Sequence, residues 1–349
     1  MDLKRIFIKD ACPTKIGGQA ILEGIMMRGA DRTATVIRLP DKSLYLSTEK
    51  LKTPSKWSKV PLIRGIVAFV GALVVGTRIL MKSADILESF EGENAEKEED
   101  DKLLLWLEKK FGKDGAWNIM MYTSVVIALL FTIGVFILLP TIVVNWCKYF
   151  THNANILNLI EGVLRIAMFV LYVAAIRKMP DIRRVFQFHG AEHKCIHCYE
   201  SGLPLTVENC RPFYTLHPRC GTSFLMFVLV ISFILHAFLG WPSLALRIVS
   251  RLLLLPVVAG VSYELLRWAG RSDNMLVKIL SLPGLYLQKL TTCEPDDEQL
   301  QVAITAMKAV LVPADTPTYE GICDTEGRLI TEAQEEDDGT AGQRDIETR

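Results

Sequence analysis

Four of the six histidines in the chain fall in two strings, FHGAEHKCIHCYE at 188–200 and HPRCGTSF at 217–224. His189-Gly-Ala-Glu192-His193 is an H-x-x-E-H pattern. On a helix, residues four apart share a face, so two such imidazoles can reach one Zn²⁺. A glutamate beside them is placed as in inverted zincins, where it is the general base toward water that the metal acidifies to a pKa of about 7. Such a site needs a third ligand, and Glu200, His217, Cys220 and Glu264 are the candidates. Gly190 weighs against the helix by about 1 kcal/mol relative to Ala. A second reading joins Cys195-x-x-Cys198 to His217-x-x-Cys220 as a closed structural zinc site. In a third, the histidines hold no metal and bond backbone carbonyls or lipid phosphates. Spacing alone leaves the three open.

The elements around these strings are those of a membrane protein. Half of the 349 residues are hydrophobic, and they are clumped rather than periodic. The net charge is zero with no basic stripe, which excludes a nucleic-acid partner on electrostatic grounds. The opening MDLKRIFIKDACPTK has no apolar core of signal-peptide length, so the N-terminus is expected inside. The eight cysteines lack the framework of a secreted scaffold and are expected to be reduced thiols or metal ligands.

Stretches around 119–145, 154–176, 222–240 and 243–264 are apolar over about the 20 residues that a bilayer core of roughly 30 Å requires. A fifth, GIVAFVGALVVGT at 65–77, is short and lies between Arg64 and Arg78. If it crossed, seven cations (Arg177, Lys178, Arg183, Arg184, Lys194, Arg211 and Arg219) would fall outside. If it is re-entrant or in-plane, the external loops hold a single lysine, Lys148, and Trp146, Tyr149, Phe150 and Trp241 reach the outer interface. The second arrangement is expected: a mainly α, polytopic membrane protein of four spans in two hairpins, with both termini in the cytoplasm.

The expected order is a cytoplasmic β-containing module (1–60), the re-entrant or in-plane helix (61–81), an acidic linker with a surface helix (82–117), the first hairpin (118–177), the His/Cys/Glu loop (178–221), the second hairpin (222–268), a cytoplasmic helical region (269–314) and a disordered acidic tail (315–349). Within the first module, TATVIRL, the turn PDKS and LYLST read as a hairpin. GGQAILEGIMMRG permits tight turns but is no phosphate loop. Ionisable residues inside spans are costly and face a partner or a cavity. Glu161 and Arg165, four apart, read as an ion pair, and His236 as an interhelical hydrogen-bond donor.

The strings GGQAILEGIMMRG, PLIRGIVA, FHGAEHK, HPRCGTSF, SYE and LTTCEPDDEQLQVAI, in that order from about residue 15 to 310, resemble the YqhQ-type family of bacterial membrane proteins. That resemblance implies a bacterial inner-membrane location and metal dependence, and names no reaction. In the family pattern the positions of Cys195 and Cys198 are commonly not cysteine, whereas His189, Glu192, His193, Glu200, His217 and Cys220 match. The resemblance therefore implies His189 and His193 with one or more of Glu200, His217 and Cys220 as metal ligands, and Glu192 as catalytic base. Asp296 and Asp297, in the last string, read as caps of an amphipathic helix.

The function expected is a metal-dependent hydrolase, with a divalent ion of Zn²⁺ type, acting at the cytoplasmic face on a peptide or lipid-linked substrate. The rival is a non-enzymatic scaffold or accessory factor of a larger membrane assembly. Expected partners are the lipid bilayer and other membrane proteins. Transport is disfavoured by few charges in the spans and no repeat. The environment of Glu192 discriminates: a cavity shared with His189 and His193 favours hydrolysis, whereas a capping role or a pair with Arg183 or Arg184 favours the scaffold.

Overall fold

The computed structural model of the chain describes residues 6–8, 12–14, 16–51, 56–91, 102–238, 243–269, 274–324 and 327–328. Among these residues five strands, β1 (Gly17–Ile21), β2 (Gly24–Arg28), β3 (Arg32–Arg38), β4 (Leu44–Lys50) and β5 (Glu320–Cys323), form an antiparallel sheet in sequence order. The hairpin expected from TATVIRL and LYLST is β3–β4, with Val36 opposite Leu46. The glycine-rich string before it is a second hairpin, turned through Glu23 at φ 48°. Glu320–Cys323 corrects the expectation of a structureless tail, because they pair with Leu44–Ser47; residues from 329 onward lie outside the described residues.

Helices follow the sheet: α1 (Ile63–Glu91), α2 (Lys102–Ile133), α3 (Leu139–Trp146), α4 (Ala154–Ile176), α5 (Pro180–Glu200), α6 (Thr222–Ala237), α7 (Leu244–Ala269), α8 (Met275–Thr291) and α9 (Asp297–Val310). The chain is mainly helical with a small sheet. Pro180 opens α5 at a position where a missing N–H costs nothing. Asp296 and Gln299 form a reciprocal capping box on α9, with Gln299 N–H to Asp296 Oδ1 at 2.8 Å and Asp296 N–H to Gln299 Oε1 at 3.0 Å. Asp297 does not cap; it pairs with Arg211 at 2.6 Å.

One hydrophobic core joins the sheet to α5 and α9: Ile25, Met27, Val36 and Leu46 meet Phe188, Ala191, Leu300, Ile304 and Met307. The sheet thus buries its core face against helices that come much later in sequence. Arg32, the first residue of the central strand β3, is fully buried and donates through Nη2 to the carbonyls of Pro313, Ala314 and Thr316 at 2.9, 3.2 and 3.1 Å. These bonds fasten the segment leading to β5. Arg32→Ala is expected to cost about 2–3 kcal/mol, since it removes three charge-assisted bonds made by a fully buried guanidinium. Scanning fluorimetry in detergent should show a melting point several degrees lower, and an unchanged one would contradict that role.

Among the described residues, four helical stretches are long and apolar enough to cross a membrane: Ile63–Phe90, Tyr122–Tyr149, Ala154–Ile176 and Ala245–Ala269. They expose Leu130, Phe131, Leu171 and Leu253 by 64, 65, 68 and 72%, a surface that is disfavoured in water and suggests association with a lipid bilayer. Two details differ from expectation. The 65–77 stretch lies within the 29-residue α1 rather than forming a short helix, since polar but helix-compatible residues carry it to Glu91. The apolar helix expected at 222–240 is only 16 residues, Thr222–Ala237.

The contacts of α1 fall at one end of the bundle. Arg64 forms an ion pair with Glu264 near the end of α7, and Phe69 lies 5.8 Å from Phe224 in the first turn of α6. Farther along, Gln19 of β1 donates to the Gly76 carbonyl at 3.3 Å. Lys82 reaches Ser47 and Glu320 at 3.3 and 2.8 Å. At the other end of the bundle, Pro140 can donate no backbone bond. The preceding turn widens to a π segment, Gly134–Leu138, between α2 and α3.

Candidate metal centre

The H-x-x-E-H string lies on α5, as the pattern requires. Phe188, Ala191, Cys195 and Cys198 face the sheet core, and His189, His193 and His197 face the segments 213–220 and 291–294. Gly190 makes this approach possible. A Cβ there would stand 2.1 Å from the Cys293 carbonyl oxygen, while Cys293 N–H bonds the Phe186 carbonyl at 2.8 Å. The glycine that weakens the helix locally is what lets the helix seat against residues 291–293.

Backbone carbonyls then orient the imidazoles. His189 Nδ1 lies 2.9 Å from the Thr291 oxygen, His193 Nδ1 2.6 Å from that of Thr215, and His197 Nε2 2.9 Å from that of Leu216. With protons on both Nδ1 atoms, His189 and His193 present Nε2 lone pairs. His189 Nε2 is 3.2 Å from Cys220 Sγ, and His193 Nε2 is buried with no hydrogen-bond partner among the described residues. One ligand atom from each of His189, His193 and Cys220 lies within 4.8 Å of the others. Two imidazoles oriented by carbonyls and one sulfur form a donor set that fits Zn²⁺ and leaves a fourth position open.

Electrostatics couple the thiol to the imidazoles, and a metal ion at this site would have to displace the proton that His189 holds. Burial opposes ionisation of Cys220, but the electrostatic pull and hydrogen bonds of the neighbouring imidazoles, His193 and His189, outweigh it and hold the thiol well below its usual range. Burial likewise disfavours a charged His189, yet the adjacent Cys220 sulfur raises it to about 9. Glu192, 5% exposed, is raised by burial against the pull of both histidines, and it accepts the Gly18 backbone N–H. A Cβ on Gly18 would lie 3.1 Å from the Glu192 carboxyl carbon, so β1 packs directly on that group.

Glu200 and His217 stand apart from the three-ligand cluster. Glu200 Oε1 accepts Thr14 N–H and Oγ–H at 2.8 and 3.0 Å, and Oε2 pairs with Arg219 and faces His217 Nε2 at 3.5 Å. Burial works against this carboxylate, but His217, Thr14 and Arg219 bring it down to about 2. Burial lowers His217 to about 3. Its ring centroid is 5.7 Å from that of His193, and its backbone is clamped by Gln288 through two bonds of 2.9 Å. Both residues line a hollow of about 180 Å³ with Ile6, Phe7, Arg219 and Lys278. Glu264 pairs with Arg64 outside the site. Cys195 and Cys198 lie in the hydrophobic core with Cys210, away from the ligand face.

The sequence reading did not single out the Thr215 and Thr291 carbonyls or the Gly18 N–H, because backbone groups leave no side-chain signature. The whole defines a class: a mainly helical chain with apolar helices long enough to cross a membrane, a small sheet, and a His/His/Cys cluster whose two histidines lie on the helix packed against that sheet. The chain belongs to the family described as protein of unknown function DUF1385, whose model matches residues 60–312. It is 36% identical over 319 residues to "Uncharacterized protein YqhQ" of Bacillus subtilis (strain 168), covering 87% of this chain and 94% of that one. No solved structure matches.

Proposed function

We propose that this protein is a membrane-embedded metal-dependent hydrolase acting at the cytoplasmic face on a peptide or lipid-linked substrate. His189, His193 and Cys220 hold a divalent ion of Zn²⁺ type, and Glu192 is the general base. The convergence of three soft or borderline donor atoms within 4.8 Å of one another, beside a buried carboxyl, carries this reading. When bound, Zn²⁺ polarises the scissile group and lowers the pKa of water toward about 7.

The chain's own residues supply the remainder. Thr291 and Thr215 fix the two rings so that both Nε2 atoms converge. Burial raises the proton affinity of Glu192, which suits a group that takes a proton from water and returns it to the leaving group. Arg184 is occupied by Glu23, with Nη2 to Oε2 at 2.6 Å, and Glu192 faces the histidines. Among the described residues Glu192 thus forms no ion pair with Arg183 or Arg184, which removes one signature of the scaffold reading.

For the membrane arrangement, the contacts of α1 at the sheet-bearing end support a helix lying in the membrane plane. Two hairpins then remain, α2–α3 with α4 and α6 with α7. The cation count of 177–221 supports an orientation with the metal centre, the sheet and both termini on the cytoplasmic side of a bacterial inner membrane.

Elemental mass spectrometry of single variants tests the ligand set. Cys220→Ala should lose most of the bound metal, whereas Glu200→Gln, whose carboxylate bonds Thr14 and Arg219, should retain it. Loss in Glu200→Gln with retention in Cys220→Ala would reverse the assignment.

A further inference from the structure

The end of the bundle opposite the metal centre holds a second buried polar group that hydrolysis does not use. Glu161 and Arg165 on α4, Arg247 and Arg251 on α7 and Thr141 on α3 meet there. Glu161, Arg247 and Arg251 are exposed by only 2, 2 and 4%. Arg165 Nη2 reaches Glu161 Oε1 at 2.8 Å, and Arg251 Nη2 reaches Oε2 at 2.5 Å. Both guanidiniums also donate to Thr141 Oγ1 at 3.2 Å. Arg247 Nη2 donates to the Thr141 carbonyl at 3.1 Å. The π segment presents the Ile137 carbonyl to Thr141 Oγ1 at 2.8 Å and to Arg165 at 3.4 Å, and such widened turns are frequent at functional sites.

Charge and hydrogen bonding are both incomplete. Two guanidiniums, Arg165 and Arg251, share the one carboxylate of Glu161, a net charge of +1 among these three groups. In an apolar bundle each uncompensated charge costs several kcal/mol. Arg165 Nε, Arg251 Nε and both amide atoms of Asn158 have no partner among the described residues. Yet Asn158 and Arg251 are each 4% exposed. Asn158 is one turn before Glu161 on the same face of α4. A purely structural ion pair would neutralise itself and satisfy its donors. Guanidinium forks beside an amide are instead a donor set for an oxyanion.

We propose that this cluster binds one phosphate-type oxyanion, the phosphodiester of a lipid headgroup or a free phosphate, between Arg165, Arg247, Arg251 and Asn158. Glu161 holds two of the guanidiniums in position. Glu161 is two turns into α4 and Arg247 one turn into α7, so at 1.5 Å per residue the site lies within roughly 10 Å of the helix ends. A headgroup phosphate reaches that depth.

The test uses the full chain in detergent, with inorganic phosphate against chloride at equal ionic strength, and phosphatidylglycerol against phosphatidylcholine in native mass spectrometry. Wild type should bind one phosphate-bearing ligand saturably. Arg251→Gln should weaken binding at least tenfold. Asn158→Asp, which places a carboxylate inside the site, should fold with an equal or higher melting point and bind neither ligand; it carries the test if Arg251→Gln does not fold. Retention of phosphatidylglycerol without a phosphate response assigns a lipid headgroup, and a saturable phosphate response assigns a free oxyanion. Folded wild type that binds neither, or Asn158→Asp that binds like wild type, overturns the proposal.

Discussion

Glu192→Gln is expected to keep its metal and to lose hydrolysis by a factor of about 100 to 10,000, the usual contribution of a positioned general base. Glutamine preserves the shape of the side chain and can still accept the Gly18 N–H, so β1 should remain seated on it. It cannot take a proton from water at neutral pH. None of the three proposed ligands is altered, so metal content separates loss of chemistry from loss of the site. The measurement is turnover of whichever peptide or lipid-linked substrate the wild type cleaves in a library screen, with metal content determined in parallel. Activity within a few-fold of wild type would remove Glu192 as base.

Gly190→Val should have the largest structural effect. Even the first carbon of the new side chain would meet the Cys293 carbonyl at 2.1 Å, and that neighbour is backbone with no rotamer to yield. Either α5 or residues 291–293 must shift. The shift acts on His189 directly, because its Nδ1 partner is the carbonyl of Thr291. Overpacking of this kind costs about 1–3 kcal/mol or more, and here it should also remove the metal. Gly71→Ala, in α1, is the control, since a Cβ there meets nothing within 4 Å. A Gly190→Val chain that binds metal and melts like wild type would show that close approach does not position the site.

Legibility in the sequence followed the range of the interactions. Helical spacing put His189, Glu192 and His193 on one face, and the apolar runs located the long helices, because both signals are local. The β3–β4 hairpin was legible through its turn residues. The strand Glu320–Cys323 was not, since four residues of an acidic segment acquire their pairing only when β4 is adjacent. Separation of Cys220 from Glu200 and His217 was equally hidden, as it depends on how the 213–220 loop packs against α8 through Gln288. The arginines of α7 stand in a run read as apolar, so charges in the spans appeared scarcer than they are. Their burial beside Glu161 emerges only when α3, α4 and α7 are brought together.

The central claim is most directly tested by the metal content of full-length protein purified in detergent without chelator, comparing wild type with His189→Ala/His193→Ala at matched folding. The account predicts about one transition-metal ion per wild-type chain, as a three-ligand site with an open position implies, and almost none in the double variant. Folded wild-type protein without metal, or equal metal in both chains, would contradict it.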